Sequence, residues 1–325
     1  MTTLLSTLGN GPIDKVGRAF IQLSTSERII DCLQTALRLH GTGHFGKIHA
    51  ILGTSHVGKS TAIDFWMKQT AKAYGGVTEN LSRDESRIEA AANVSYVTLH
   101  DRGQRIHPVV RIQIVGNPTF KALGDDTLRG LVRGRAPVWK NGGDLASLLA
   151  THLTAFQTKV VIYEDIQELA KVKGARKNEA VVLLRNLCKV VRVEVVVVGT
   201  EGTLEVLQSE NETRKLVATN VTIRPFSRPD FKNEKPGEFV TFLTKLRTQL
   251  PNPKLSPIDE EKLADMLWRY SKGVIGDIKH LMLAATDTAL QSGISGIDRT
   301  ALRKHLELKK SLFGKANPFY LPGDE

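Results

Sequence analysis

Cysteine is nearly absent from this chain: there are two in 325 residues, Cys32 and Cys188, each inside an apolar helical stretch. Thiols so placed read as core residues and provide neither a disulfide framework nor a metal cluster. No apolar run is long enough to span a bilayer, and the N-terminus lacks the charged-then-apolar pattern of an export signal, so no membrane association and a cytoplasmic location are expected. No internal repeat or low-complexity segment is visible. Acid is in deficit: 34 Asp and Glu stand against 45 Lys and Arg, a net charge of +11. A basic surface of this kind suits a polyanionic partner, most simply nucleic acid. The length allows two compact domains with a sizeable core.

What is present is organised around Gly53-Thr54-Ser55-His56-Val57-Gly58-Lys59-Ser60-Thr61. It follows the apolar run Ile48 to Leu52 and precedes a helical pattern from Ala62. Between a strand and a helix, G-x-x-x-x-G-K-[ST] reads as a phosphate-binding loop. Its glycines let the backbone close around phosphates with N–H groups aimed inward, and the helix N-terminus adds partial positive charge. Lys59 reaches the β- and γ-phosphates, and Ser60 ligates Mg²⁺.

The second half of such a site is Val160-Val-Ile-Tyr-Glu164-Asp165. A fully apolar strand is buried on both faces and belongs in a parallel sheet. Carboxylates at its C-terminal end fall beside the phosphate loop. One acid holds Mg²⁺ through water, and the other orients or deprotonates the attacking water.

Elsewhere, Ser24 to Glu27 is a capping box opening a helix to Leu39. Thr78 to Ala92 reads as a loop with a short helix. Val94–Leu99 and Val109–Val115 read as a hairpin around the charged turn Asp101 to Arg105. Arg129 to Lys140 is a basic stretch, after which Asp144 caps a helix. Glu194–Gly199 and Val221–Ile223 are the last strands, and from Pro225 only helical patterns remain: Gly237–Leu250, Ile258–Tyr270, Ile278–Gln291 and Arg299–Leu308. The expected architecture is α/β: a P-loop core with a parallel sheet flanked by helices, an inserted β-hairpin, and a small C-terminal all-helical domain. The expected boundaries are an N-terminal arm and helix over 1–45, a nucleotide-binding core over 46–225, the helical domain over 226–309 and a tail over 310–325.

These features resemble an AAA+ ATPase, and more closely the transposition regulators of the TnsC/TniB type. The resemblance is carried by Val195-Val-Val-Val-Gly199-Thr200-Glu-Gly-Thr-Leu204, Arg214, Phe242 to Leu246, Leu250-Pro251, and the run Tyr270 to Leu281 with Ala284-Ala285. The hairpin and the Asn317-Pro318-Phe319 tail are also similar. The resemblance implies an ATP- and Mg²⁺-dependent protein that assembles head to tail as a ring or filament on duplex DNA, marks a target site and recruits or activates a transposase. By the same resemblance Thr200 is the first sensor of the γ-phosphate, and Lys279 the second sensor. Arg214, with Lys215 as alternative, is the arginine finger given to a neighbouring subunit. Gly276 starts a helix close to the nucleotide, and Ile21, Leu23 and Ser24 lie at the base-binding segment.

One departure concerns the acid pair, which the family orders Asp-Glu and this chain orders Glu164-Asp165. The shorter Asp165 in the catalytic place implies slow hydrolysis, with ATP acting mainly as an assembly switch. For DNA, Thr119 and Lys121 fall on a channel-facing loop of the relatives, and Lys140, Arg135 and the hairpin-tip Arg102 are further candidates. Such contacts go to phosphates and carry no sequence information. No helix-turn-helix, zinc finger or aromatic base-reading motif is visible, so binding is expected to be non-specific. The tail is expected either to dock on a transposase or target-selection partner or to cap its own helical domain. An AAA+ loader that places a replication protein on DNA is the alternative function.

Overall fold

The computed structural model describes residues 12–81, 92–114, 123–125, 127–128, 131, 138–171, 175–232, 237–313 and 319. These residues divide into two compact units: one holds those within 24–55 and 59–223, the other those up to Leu23, His56–Gly58 and those from Arg224 onward.

The first unit is built on a sheet of seven strands among the described residues: β1 (Ile48–Gly53), β2 (Val77–Leu81), β3 (Ala92–Asp101), β4 (Gln104–Ile114), β5 (Val160–Glu164), β6 (Glu194–Gly199) and β7 (Val217–Ile223), in the order β2-β3-β4-β5-β6-β1-β7. From β4 to β7 neighbours run parallel, whereas β2 and β3 pair antiparallel at the β4 edge. The sheet is therefore mixed, where the apolar runs alone pointed to a parallel one. The reason is the hairpin, which adds its strands to the same ladder. Every residue of β1, β5 and β6 is buried, as strands covered on both faces must be.

β2 lies where the sequence suggested a loop. Its centre, Thr78-Glu79-Asn80, is polar, and among the described residues it pairs only with β3. An edge strand needs little apolar surface, so periodicity passes over it. The rest of that expected loop and short helix lies outside the described residues.

Alternate residues of the strands serve two layers. Ile48, Ala50, Leu52, Val161, Tyr163, Val195 and Val197 share one cluster with Leu145, Leu149 and Leu153 of the Gly142–Ala155 helix and with Val181, Leu184 and Leu187. The Ser24–Leu39 helix touches β1, β6, β7 and the Lys59–Ala73 helix. The Gly142–Ala155 helix is capped by Asn141, whose side chain accepts from Gly143 and Asp144 N–H, rather than by Asp144. Asp144 sits inside the first turn and accepts from Lys140 N–H at 3.1 Å.

The second unit is helical: Pro12–Arg18, Glu238–Arg247, Glu261–Ser271, Ile275–Gln291 and Arg299–Phe313. Phe226, Phe239, Phe242, Leu246, Leu267, Ile278, Leu281 and Met282 form its core. Phe319 is fully buried in the same cluster; its ring lies 6.5 Å from Tyr270, and its carbonyl accepts from Arg299 Nη1 at 3.4 Å. At this residue the tail caps its own helical unit, one of the two roles open to it from sequence. Among the described residues, no helix is long and apolar enough to cross a membrane.

Candidate functional site

The site is laid out by strand register. Val198 of β6 stands level with Ile51 of β1 on one side and Glu164 of β5 on the other. Parallel strands in that register end together. Gly53-Thr54, Glu164-Asp165 and Gly199-Thr200 thus leave the sheet at one end, each where a chain must turn. The acid pair is not the immediate neighbour of the phosphate loop, because β6 runs between them. Two strand spacings, about 10 Å, separate β1 from β5.

The phosphate loop needs its glycines for different reasons. A Cβ on Gly53 would fall on the Ile223 carbonyl of β7. Gly58 has φ +93°, in the left-handed half of backbone space. Lys59 opens the Lys59–Ala73 helix, and its Nζ donates to the carbonyls of Gly53 (2.7 Å) and Thr54 (2.8 Å). Burial lowers the Lys59 pKa, while the charges of Asp165 and Glu164 act to raise it. The cation is thus bent over its own loop on the side of the two acids. Thr54, Ser55, Ser60 and Thr61 are exposed, and Val57 is buried.

His56, also in the left-handed region at φ +65°, groups with the helical unit. Its carbonyl accepts from Gly276 N–H at 2.8 Å, and its ring faces Asp277 (3.4 Å) and His280 (5.6 Å between centroids). A Cβ on Gly276 would stand 2.6 Å from that of His56, so glycine is required there by backbone proximity.

Glu164 is 1% exposed. Its Oε2 accepts from Arg111 Nη2 at 2.6 Å, while Arg111 Nη1 pairs with Asp64 on the helix that follows the phosphate loop. Burial pushes the Glu164 pKa up, Arg111 opposes that through charge and hydrogen bond, and Asp165 and Asp64 add to the rise. Burial likewise works against the Arg111 charge, but Glu164 and Asp64 outweigh it and hold its pKa above the usual value. Glu164 Oε1 is buried with no hydrogen-bond partner among the described residues. An orphaned carboxylate oxygen beside the strand end, with the exposed Ser60 hydroxyl on the phosphate-loop helix, fits a hard cation that takes oxygen ligands and keeps water, as Mg²⁺ does.

Asp165 has φ +60°, a conformation asparagine and aspartate tolerate better than most residues. Each carboxylate oxygen is met by an amide: Gln167 Nε2 donates to Oδ1 (3.2 Å) and Gln113 Nε2 to Oδ2 (3.3 Å). Gln167 then accepts, through Oε1, the N–H of Thr200 at 3.2 Å. A Cβ on Gly199 would overlap Gln167 Oε1 and Thr203 Oγ1, so a larger residue before Thr200 would displace the Gln167 amide.

Arg111, Gln113 and Gln167 escape a motif search. Arg111 and Gln113 do leave a trace: two polar residues at i and i+2 inside the apolar run Val109 to Ile114 must share one face of a central strand. Gln167 leaves none, since a polar residue in a turn has no period to break and one of its partners, Thr200, is 33 residues away.

The other sequence candidates have their own surroundings. Lys279 Nζ donates to the carbonyls of Ala19 (2.8 Å) and Gly17 (3.1 Å), where it caps the end of the Pro12–Arg18 helix, and burial lowers its pKa. Arg214 and Lys215 are exposed on the short Asn211–Leu216 helix. Leu23 is buried and Ile21 partly buried in the helical unit's core, and Ser24 begins the Ser24–Leu39 helix. Lys140 is exposed just before the Gly142–Ala155 helix. Arg102 is exposed at the turn of the β3–β4 hairpin, the turn at which β4 begins, so it lies at the sheet end opposite Glu164. Thr119, Lys121 and Arg135 lie outside the described residues.

Residues 87–217 match the family described as TniB, Bacterial TniB protein. No curated protein matches the sequence. Among solved structures, the chain is similar to the Orc1 protein of Aeropyrum pernix in complex with DNA, at 12% identity and TM-score 0.63, covering 90% of this chain and 68% of that one. It is also similar to Cdc6p of Pyrobaculum aerophilum (18%, TM-score 0.56, 91% and 69%) and to Drosophila ORC bound to DNA (11%, TM-score 0.55, 91% and 65%). It thus spans about two thirds of the length of each. The fold is the AAA+ P-loop fold, and the chain is TniB-like over the matched residues.

Proposed function

We propose that this TniB-like AAA+ chain is an ATPase that binds duplex DNA without sequence preference, assembles head to tail on it when ATP is bound, and in that form recruits or activates a transposase. The observation that carries the reading is the level ending of β1, β5 and β6, which gathers Lys59, Glu164, Asp165 and Thr200 at one end of the sheet. The net charge of +11 and the presence of DNA in the similar Orc1 and ORC structures favour a nucleic-acid partner.

In this reading the loop from Gly53 to Thr61 wraps the triphosphate with backbone N–H groups, and Lys59 exchanges the carbonyls of Gly53 and Thr54 for the β- and γ-phosphates. Ser60 and Glu164 Oε1 hold hydrated Mg²⁺, which when bound neutralises charge developing on the phosphates. Arg111 keeps the other Glu164 oxygen occupied, so one oxygen is left for that task. Asp165 orients the attacking water and takes its proton, ATP and water giving ADP and phosphate. Its two amide partners leave the carboxylate little freedom to rotate. Asp165 is one methylene shorter than glutamate, and hydrolysis is correspondingly slow. Thr200 senses the γ-phosphate. Arg214, exposed on its helix, is available to a neighbouring subunit's ATP, as a finger must be. Lys279 serves as second sensor only after giving up the Gly17 and Ala19 carbonyls. Thr119, Lys121, Arg135, Lys140 and Arg102 contribute phosphate contacts.

The test is negative-stain imaging with duplex DNA and no nucleotide, ADP, ATP or a non-hydrolysable analogue. Rings or filaments only with ATP or the analogue, and none with Lys59→Ala, are expected. Monomers under every condition, or normal assemblies of the Lys59→Ala variant, would sink the switch.

A further inference from the structure

We infer that Gln167 is a positioning residue that ties the orientation of Asp165 to the strand end carrying Thr200; the inference rests on the ATPase reading above. Gln167 lies two residues past Asp165, in a 3₁₀ turn spanning Ile166–Lys171. Its amide is used at both ends, giving Nε2–H to Asp165 Oδ1 and taking the Thr200 N–H on Oε1. The side chain therefore spans from the end of β5 to the end of β6. The fit is tight, because its Oε1 fills the space a Cβ on Gly199 would need. A displacement of Thr200 along β6 moves the acceptor of its own N–H, and that acceptor belongs to the group holding Asp165. A side chain that only filled space would need neither the donor nor the acceptor. Two hydrogen bonds in series, each 3.2 Å, link Thr200 to the carboxylate.

Asp165 stands in a left-handed backbone conformation on the last step out of β5. Gln113, on the neighbouring strand, holds the second oxygen. Loss of the Gln167 amide leaves the carboxylate pivoting on one bond. Misplacement of a reacting group by about 1 Å costs roughly 10²-fold in rate. ATP affinity, set by the phosphate loop, is untouched.

The experiment is single-turnover ATP hydrolysis on duplex DNA, with ATP affinity measured in parallel, for the parent, Asp165→Asn, Gln167→Met and Gln167→Glu. Gln167→Met keeps the length without donor or acceptor. It should hydrolyse ~10²-fold more slowly than the parent, with ATP affinity within about twofold. Gln167→Glu should be as slow at pH 8, where the introduced carboxylate repels Asp165 and donates nothing. Its rate relative to the parent should recover as pH falls toward 5.5, because a protonated carboxyl again offers one donor and one acceptor. Gln167→Met should show no such recovery. A packing role alone would not produce that difference in pH profile. Parent-like turnover in Gln167→Met, or parallel pH profiles for the two variants, overturns the positioning role and leaves the ATPase reading intact. A parent that hydrolyses no faster than Asp165→Asn overturns both.

Discussion

Replacing Arg111 by methionine isolates what the buried ion pair contributes. Methionine keeps the unbranched stem and removes the guanidinium, which bridges Glu164 and Asp64. The two halves of the bridge differ in weight. Asp64 is 54% exposed, and water takes over most of its pairing, so that half is worth under about 1 kcal/mol. Glu164 is buried, its Oε1 has no hydrogen-bond partner among the described residues, and the variant takes away the partner of its Oε2. Stranding one member of a buried pair costs about 3–5 kcal/mol. A loss near 4 kcal/mol is therefore expected for the sheet unit at pH 7.5, on the order of 10³-fold in its folding equilibrium.

The loss depends on pH in a definite sense. Burial already raises the Glu164 pKa above its unfolded value, and removing Arg111 removes the main force opposing that rise. A group with a raised folded-state pKa contributes its full stability below the unfolded pKa and loses it as pH climbs through the folded one. The deficit of Arg111→Met should be small near pH 4, where the carboxyl takes a proton in both proteins, and should widen toward pH 7.5. Urea unfolding followed by tryptophan fluorescence in a Trp268→Phe background reads the unit concerned, since Trp66, buried in the helix that also carries Asp64, and Trp139 both belong to it. A double-mutant cycle with Glu164→Gln should return most of the loss, since a neutral amide needs no counter-charge. Stability within 0.5 kcal/mol of the parent, roughly the scatter of innocuous substitutions, or a deficit that narrows as pH rises, would refute the account.

Three further outcomes are expected. His107 is buried between Tyr96 and Phe156 and bonded to Thr98, and burial with the nearby Arg105 charge pushes its pKa down to about 4. NMR titration should find its ring neutral at pH 5.5. Because its folded pKa is depressed, its contribution to stability is complete above the ordinary histidine range and is lost as pH falls toward 4. Lys121→Ala with Lys140→Ala should weaken DNA binding on all sequences alike and lower the slope of log K against log salt by roughly 0.9 per lost phosphate contact. An unchanged slope removes both lysines from the interface. Phe319→Ala should destabilise the helical unit by about 3 kcal/mol, the low end for a buried phenylalanine, seen as an earlier melting transition. No shift in melting would mean that the tail does not occupy its own unit in solution.

Much of this protein is legible without coordinates. The phosphate loop, the apolar strands β1, β5 and β6, and the helical repeat after Arg224 rest on local rules. A glycine tolerates left-handed backbone, a strand buried on both faces is apolar throughout, and a helix repeats its core face every third or fourth residue. Each of these is written within about ten consecutive residues. β2 escapes because an edge strand needs no such pattern, and Asp144 is not the cap because the helix begins earlier, with the Asn141 side chain accepting from the N–H groups of Gly143 and Asp144. What only the tertiary structure decided is which distant polar groups meet. Arg111 and Glu164 are 53 residues apart, Gln167 and Thr200 33, and Lys279 and Ala19 260. The first two meetings depend on strand order and register, with β4 beside β5 and β6 level with it, and the third on the packing of the Ile275–Gln291 helix against the Pro12–Arg18 helix. Chain separation carries no information about them, since buried polar groups bond to whatever the packing of apolar surfaces brings within 3 Å.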